Sequence, residues 1–259
     1  MDFQIDKIYN EDCLEGMKRI ADGAVDCIIT DLPYGTTACA WDSVIPFEPL
    51  WEQFKRVTKP NAAIVLFGSE PFSSALRMSN IGMYKYDWIW HKDKPTGFQH
   101  AKNMPLKDYE TISVFSKGSM GHANLLGERR MPYNPQGTIA VHKTIKNAKG
   151  KFGGTVGARP SHKESYIAEA ENYPRMTLDF DCDYDGFHPT QKPVDLLRYL
   201  VLTYTNEGDT VLDNCMGSGT TAIACIKERR HFIGFELSKE YFDKAVRRIK
   251  AEQAQLTLF

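Results

Sequence analysis

Short apolar runs alternate along the chain with longer segments whose apolar residues recur at helical spacing. The runs at residues 24–30 and 62–67 are almost wholly apolar, which is typical of strands buried on both faces of a parallel sheet. Further strands are predicted at residues 5–10, 86–90, 109–115, 210–213 and 231–235. Helices are predicted at residues 14–20, 47–58, 71–79, 194–204, 220–228 and 238–254. This alternation of strands and helices predicts an α/β fold.

Four residues with distinct chemistry, Asp31-Leu32-Pro33-Tyr34, directly follow the first of these runs and are called the DLPY segment below. Open α/β sheets bind ligands at the carboxyl ends of their strands, which is where Asp31 is expected. The Asp31 carboxylate and the carbonyls of Leu32 and Pro33 can accept hydrogen bonds, and a flat heterocycle can stack on Tyr34. The segment therefore predicts a site for an amino group conjugated to a ring. An ordinary Asp-x-Pro turn is the alternative.

A second segment, DNCMGSGTT at residues 213–221, joins a strand end to a helix start and is called the glycine loop. Such a loop points backbone N–H groups and the positive end of a helix dipole at a bound group. It is no phosphate-binding P-loop, because no Lys-Ser or Lys-Thr follows the last glycine, and it lacks the third glycine of the dinucleotide pattern. Glu236 ends the next predicted strand, where it can bind a ribose diol or cap the following helix.

DLPYG, LDNCMGSGTT, FIGFELSKEYFDKA and FHPTQKPVDLL together resemble the amino-methylating DNA methyltransferases, in the permuted (β) group whose catalytic motif precedes the cofactor motif. The resemblance spans most of the chain. It implies a Rossmann-like S-adenosylmethionine-dependent methyltransferase sheet with helices on both faces and a circularly permuted motif order. It also implies a catalytic and cofactor domain at residues 1–117 and 187–259, and a target-recognition insertion at residues 118–186.

The same resemblance assigns roles to individual residues. Asp31, Leu32, Pro33 and Tyr34 would form the catalytic site, in which Asp31 accepts a hydrogen bond from the amine of a flipped base. The residues implied to bind S-adenosylmethionine are Asp12, Cys13, Asp31, Thr190, Lys192, Asp213, Met216, Gly217, Ser218, Gly219, Thr220, Thr221, Glu236 and Leu237. Asp12 is also compatible with a plain helix N-cap.

The identity of the target base is less constrained. Asp at the first position of the DLPY segment resembles adenine-N6 enzymes, whereas Ser is commoner in cytosine-N4 enzymes, which remain the alternative. No Pro-Cys dipeptide occurs, so the thiol-addition route of ring-carbon methylation is excluded. Asn214 and Cys215 replace the usual Pro-Phe of the glycine loop, and Leu32 replaces a commoner Pro. A catalytically inactive, cofactor-binding nucleic-acid regulator is a third hypothesis.

Residues 129–163 contain no Asp or Glu and many Lys, Arg, Gly, Asn and Pro residues, which predicts a loop that orders on DNA phosphates. A solvated basic surface loop is the alternative. The residues predicted to bind double-stranded DNA are Arg129, Arg130, Lys143, Lys146, Lys149, Lys151, Arg159 and Lys163. The following DFDCDYDG stretch lacks the closing Glu of a calcium loop, so no metal site is predicted.

Composition adds only broad limits. A chain of 259 residues that is 42% hydrophobic can bury one sizeable α/β core. It has no run of 18 apolar residues and no secretory leader pattern, which predicts a cytoplasmic protein without a membrane partner. Because the net charge is only −1, we expect any DNA contact to come from local clusters of basic residues. The six cysteines include no C-x-x-C pair, which predicts reduced thiols. A homodimer and a cognate restriction endonuclease are further expectations from the resemblance.

Overall fold

The structure is a computed structural model that describes residues 4–35, 42–146, 165–183 and 191–256. The chain divides into two compact units. The larger comprises Met1–Asn134 with Met176–Phe259, and the smaller comprises Pro135–Arg175.

Strands and helices alternate through the larger unit. The strands of the described residues, in chain order, are β1 (Lys7–Tyr9), β2 (Val25–Asp31), β3 (Thr58–Gly68), β4 (Tyr84–Thr96), β5 (Lys107–Phe115), β6 (Ile139–Lys146), β7 (Ser165–Glu171), β8 (Thr177–Asp179), β9 (Thr210–Asp213) and β10 (His231–Phe235). The helices are α1 (Cys13–Met17), α2 (Phe47–Val57), α3 (Phe72–Ser79), α4 (Ala123–Leu126), α5 (Val194–Tyr204), α6 (Thr220–Lys227) and α7 (Lys239–Leu256). Of these elements, only β6 and β7 belong to the smaller unit.

Eight strands form one sheet in the order β1-β10-β9-β2-β3-β5-β4-β8. The five strands from β1 to β3 are parallel, whereas β5 runs antiparallel to both of its neighbours. β2 pairs with β3 on one side and with the much later β9 on the other. The strand order therefore changes direction between β2 and β9. Open α/β sheets bind ligands at such switch points.

The apolar runs are explained by burial on both faces of this sheet. In β3, Ala63, Val65 and Phe67 pack into one core with α5, α6 and α7, while Ile64 and Leu66 pack into the other with α1, α2 and α3. Because successive side chains of a strand point to opposite faces, a strand covered on both sides must be apolar throughout. The predicted α/β sheet with helices on both faces is confirmed.

The sequence-based expectation of a loop was wrong for part of residues 129–163. Ile139–Lys146 forms β6, which pairs antiparallel with β7. The alternation of apolar and polar residues in IAVHKTIK fits a two-stranded ribbon, and the nearby glycines obscured that signal. The smaller compact unit covers fewer residues than the predicted insertion at residues 118–186. Residues 118–134 and 176–183 belong to the larger unit, in which Met131 and Leu178 are part of a hydrophobic core.

Tyr204 on α5 provides a test of the core that α5 shares with the sheet. Its side chain is fully buried, and its hydroxyl accepts the Trp88 indole N–H at 2.6 Å and lies 2.9 Å from the Tyr86 hydroxyl. Tyr204→Phe is expected to lower the free energy of unfolding by about 1–3 kcal/mol, because it leaves the indole N–H buried without this acceptor. Chemical denaturation would measure the change.

The matched control is Tyr199→Phe, since the Tyr199 ring packs edge-on against Trp88 at a centroid distance of 5.9 Å. It is expected to change the free energy of unfolding by no more than about 0.5 kcal/mol. Equal effects of the two substitutions would contradict a specific role for the Tyr204 hydroxyl.

Candidate active site

Asp31 is the last residue of β2, and two donors orient its carboxylate. The Tyr34 hydroxyl donates to Oδ1 at 2.6 Å, and the Lys192 ammonium donates to Oδ2 at 2.5 Å. The Asp31 side chain keeps 30% of its surface exposed, so the carboxylate is reachable from outside. Withdrawal from water raises the pKa of Asp31, and the positive charge of Lys192 opposes that rise.

Lys192 joins Asp31 to a second carboxylate, Glu110 on β5. Lys192 Nζ lies 3.3 Å from Glu110 Oε2, and the Lys92 ammonium is bonded to Glu110 Oε1. Burial acts to raise the pKa of Glu110, but the two ammonium groups outweigh it and lower the pKa to about 2. The same carboxylates raise the pKa of Lys192 although burial opposes this. Glu110 and Lys192 therefore carry charge at neutral pH.

Sequence reasoning did not find Glu110 and Lys92, and it assigned Lys192 to the cofactor. In the structure the Lys192 ammonium group contacts the two carboxylates of Asp31 and Glu110. One signal was available, because Glu110 is the acidic residue that interrupts the strand pattern YETISVF. A charge in an apolar run usually has a partner, but the partners come from segments far away in sequence.

The rest of the DLPY segment packs around Asp31. Leu32 is buried, and the Tyr34 ring stacks on Phe72 with a centroid distance of 5.2 Å and an interplanar angle of 28°. Burial and the neighbouring carboxylates raise the pKa of Tyr34 well above its ordinary value, so its hydroxyl keeps the proton that it donates to Asp31. The segment is therefore more than a simple turn, since its side chains are tied into a charged cluster.

Asp213, at the end of β9, links the DLPY strand to the glycine loop. Its Oδ1 accepts from the Thr30 hydroxyl at 2.7 Å and from the Cys215 backbone N–H at 3.0 Å, and its Oδ2 accepts from the Thr221 hydroxyl at 2.6 Å. Burial raises the pKa of Asp213 to about 6, although these donors stabilise the charged form. The side chain thus joins β2, β9 and the start of α6.

The glycine loop has the backbone that its glycines predict. Gly217 and Gly219 have φ of +53° and +85°, in the left-handed region that glycine adopts without strain. Gly219 is the N-cap of α6, and a Cβ added there would lie 3.2 Å from the Ala245 side chain. Met216, Ser218, Thr220 and Thr221 are buried around the turn. The Ser218 hydroxyl donates to Gln191 Oε1 at 3.0 Å.

Glu236 fastens the same loop to the end of β10. Its Oε2 accepts from the Gly217 N–H at 2.8 Å, and its Oε1 accepts from the Ser238 N–H at 2.7 Å. The Asn10 amide donates to the carbonyls of Glu236 and Leu237, and the Leu237 side chain is exposed. Glu236 therefore has the predicted position beside the glycine loop, and it also has the capping contact of the alternative interpretation.

The N-terminal end of α1 lies beside this loop. Asp12 caps α1 by accepting the Leu14 and Glu15 N–H groups at 2.9 and 3.2 Å. Cys13 is buried, and its sulfur accepts from the Asn214 amide at 3.4 Å. Within the described ranges, Asn214 Oδ1 is the buried side-chain oxygen or nitrogen that has no hydrogen-bond partner. A loop with left-handed glycines and an unpaired buried acceptor fits a polar ligand.

The basic residues predicted to bind DNA fall into three groups. Arg129 and Arg130 belong to the larger unit, and Lys143 and Lys146 are exposed on β6 of the smaller unit. Lys143 pairs with Glu171 at 2.6 Å. Lys149, Lys151, Arg159 and Lys163 lie outside the described residues, as does Thr190 from the predicted cofactor set.

Across residues 4–35, 42–146, 165–183 and 191–256, no three His, Cys, Asp or Glu side chains come together in a way that could hold a metal ion. No helix within those same ranges has the length and apolar character needed to cross a membrane.

Comparison with known proteins identifies the family. The sequence profile of the DNA methylase family matches residues 25–247, which include both the DLPY segment and the glycine loop. The chain belongs to the DNA methylase family. The methylase is 31% identical over 263 residues to the type II methyltransferase M1.MboII of Moraxella bovis, and the match covers 93% of this chain and 95% of that one. It is 30% identical to the orphan methyltransferase M.BamHII of Bacillus amyloliquefaciens, covering 90% and 91% of the two chains.

Solved structures agree with this assignment. The methylase superposes on the M1.HpyAVI complex with S-adenosylmethionine with a TM-score of 0.60 and 25% identity, covering 93% of this chain and 98% of the other. It has the same fold as the cytosine-N4-specific PvuII DNA methyltransferase, with a TM-score of 0.62, 13% identity and coverage of 96% and 91%. The amino-methylating DNA methyltransferase family and the α/β methyltransferase fold are therefore confirmed, and the methylase acts on an amino group of DNA.

Proposed function

We propose that this methylase is a site-specific enzyme that methylates the exocyclic N6 amine of a flipped adenine in double-stranded DNA. The observation that carries the proposal is the Asp31 carboxylate, which is partly exposed and oriented by Tyr34 and Lys192 at the switch point of the sheet. The hydrogen bond from Thr30 to Asp213 joins that position to the glycine loop. S-adenosylmethionine is the cofactor, and it supplies the methyl group when bound.

An exocyclic amine is a poor nucleophile because its lone pair is delocalised into the ring. A hydrogen bond from the amine N–H to Asp31 would hold the lone pair toward the methyl donor and would stabilise positive charge that develops on nitrogen. The Leu32 carbonyl would accept the second N–H, and Pro33 would fix the backbone between them. The target base must leave the duplex stack to reach this site, and Tyr34 would contact its ring.

The cofactor residues form the other half of the proposal. Gly217 and Gly219 would allow the cofactor to approach the main chain, and Glu236 would accept hydrogen bonds from its ribose. Asp12 and Cys13 would lie at the adenine end. The unpaired Asn214 Oδ1 supports this position, because a bound polar group would provide the donor that the atom lacks.

DNA contacts are proposed for basic residues that lie outside the eight-stranded sheet. Arg129, Lys143 and Lys146 are exposed, which suits them to bind phosphates. We assign target recognition to the segment 118–186, of which residues 135–175 form the smaller compact unit. A homodimer, a cognate restriction endonuclease that acts on the same sequence, and a cytoplasmic location where DNA is accessible complete the proposal.

The test is incubation of the protein with labelled S-adenosylmethionine and plasmid DNA, followed by nucleoside mass spectrometry and modification-aware sequencing. N6-methyladenine at one recurring sequence is the expected product, because the DLPY segment begins with Asp. Detection of N4-methylcytosine instead would show that the enzyme is a cytosine-N4 methyltransferase and would contradict the adenine assignment. Absence of any modified base, with cofactor binding intact, would favour an inactive nucleic-acid regulator.

A further inference from the structure

We propose that Glu110 is a positioning residue for methyl transfer, which acts by sharing the Lys192 ammonium group with Asp31. The inference deepens the proposed function and rests on it, since it concerns the carboxylate that receives the target amine. It reassigns Lys192 from the cofactor to the acceptor side of the site.

Lys192 connects carboxylates on two strands that are not neighbours in the sheet. Asp31 is on β2 and Glu110 is on β5, and β3 separates these strands in the sheet. Lys192 spans that gap by passing over β3, with its Nζ 5.3 Å from the centre of the Phe67 ring. From there the ammonium group lies 2.5 Å from Asp31 Oδ2 and 3.3 Å from Glu110 Oε2. Glu110 thus fixes the far side of the cation that orients Asp31.

The charged side chains behind Asp31 are largely buried. The side chains of Lys192, Glu110 and Lys92 are only 8%, 11% and 13% exposed, so each depends on its partners for compensation of charge. A stable core alone does not need four charges here, because apolar residues of similar size would pack at less cost. The cluster contacts Asp31, which is the one of its four members with substantial exposure.

The sharing of Lys192 affects how strongly Asp31 can accept a hydrogen bond from the target amine. If the ammonium group paired with Asp31 alone, it would neutralise more of the carboxylate charge. Less negative charge would then remain to accept a hydrogen bond from the target amine. Because Glu110 shares Lys192, Asp31 remains oriented while it keeps more of its negative charge for the amine. Tyr34 also lies between the two carboxylates, 2.6 Å from Asp31 Oδ1 and 3.4 Å from Glu110 Oε2.

Other charged groups belong to the same electrostatic environment. Lys107 at the start of β5 interacts with the cluster and with Glu70 after β3, and Asp213 interacts with Asp31. The titratable and charged groups around Asp31 are therefore Tyr34, Glu70, Lys92, Lys107, Glu110, Lys192 and Asp213.

Two substitutions should move the pKa of Asp31 in opposite directions. Glu110→Gln removes a negative charge that raises it, so the acid limb of the rate profile should move to lower pH. Lys192→Met removes the positive charge that lowers it, so the acid limb should move to higher pH. Damage to packing alone would not produce shifts of opposite sign.

The experiment measures single-turnover DNA methylation against pH for the wild type, Glu110→Gln and Lys192→Met, with cofactor affinity measured by calorimetry. We expect Glu110→Gln to lower the transfer rate at neutral pH by about 10- to 100-fold, with cofactor affinity unchanged. Asp108→Asn is the matched control, because Asp108 is on the same strand, is 52% exposed and lies outside the cluster. It should leave the rate and the acid limb unchanged.

A readout without cofactor or DNA is the carbon-13 NMR titration of the Asp31 carboxyl, assigned with Asp31→Asn. If Glu110→Gln does not fold, Lys92→Gln is the second variant. It removes a positive charge that balances Glu110, so it should raise the pKa of Asp31. An active wild type whose rate and Asp31 titration are unaffected by these substitutions would overturn this inference alone. A wild type that methylates no DNA would overturn the proposed function as well.

Discussion

Replacing Asp31 by alanine is expected to abolish DNA methylation while S-adenosylmethionine still binds. The substitution removes the carboxylate that would accept the amine hydrogen bond, and loss of one such group at a reacting centre lowers rates by about 100- to 1,000-fold. Among the described residues, the Asp31 carboxylate is hydrogen-bonded to Tyr34 and Lys192, neither of which belongs to the glycine loop. Single-turnover methylation and calorimetry with the cofactor measure the two effects separately.

Asp31→Asn is the companion variant, because it keeps the size of the side chain and an acceptor for the Tyr34 hydroxyl. Lys192 retains Glu110 as a charged partner in both variants, which limits the loss of stability. Both should lose transfer and retain the cofactor. If either folded variant failed to bind S-adenosylmethionine, the separation of the acceptor site from the cofactor site would be contradicted.

Replacing Glu236 by alanine is expected to weaken S-adenosylmethionine binding by about 10- to 150-fold, the equivalent of losing one hydrogen-bonded charged group. The substitution would remove the proposed ribose acceptor. It would also release the Gly217 N–H, which Glu236 Oε2 accepts at 2.8 Å, and so loosen the glycine loop. Calorimetry in the absence of DNA measures the dissociation constant.

Glu240→Ala is the control for this substitution. Glu240 lies in the first turn of α7, four residues after Glu236, and pairs with Lys244 on the surface. Its removal should leave the dissociation constant unchanged within about twofold, because exposed helix pairs contribute little. A Glu236→Ala protein with wild-type cofactor affinity would indicate that the carboxylate only caps α7.

Local patterns predicted most of the elements near the site. The apolar runs of β2 and β3 are predictable because both faces of these strands are covered, which removes polar residues from them. The glycine loop was equally predictable, since Gly217 and Gly219 adopt backbone conformations that other residues rarely adopt. β6 was missed because a two-stranded ribbon with exposed faces leaves a weak pattern among glycines and lysines.

The partners of the Asp31 carboxylate were not predictable in this way. Asp31, Glu110 and Lys192 are separated by 79 and 82 residues along the chain (110 − 31 and 192 − 110). Their meeting depends on the strand order, which inserts β3 between β2 and β5 and brings the segment before α5 to the same edge. No spacing within one segment records such a contact.

The sequence by itself determined the fold class, the family and the two segments to which we assign the chemistry, because strand burial, glycine backbones and the DLPY residues are local properties. Only the tertiary structure decided that Lys192 contacts Asp31 and that Glu110 and Lys92 complete the cluster. The physical reason is that a buried charge needs an opposite charge within a few ångströms, and the folded chain can supply it from any point in the sequence.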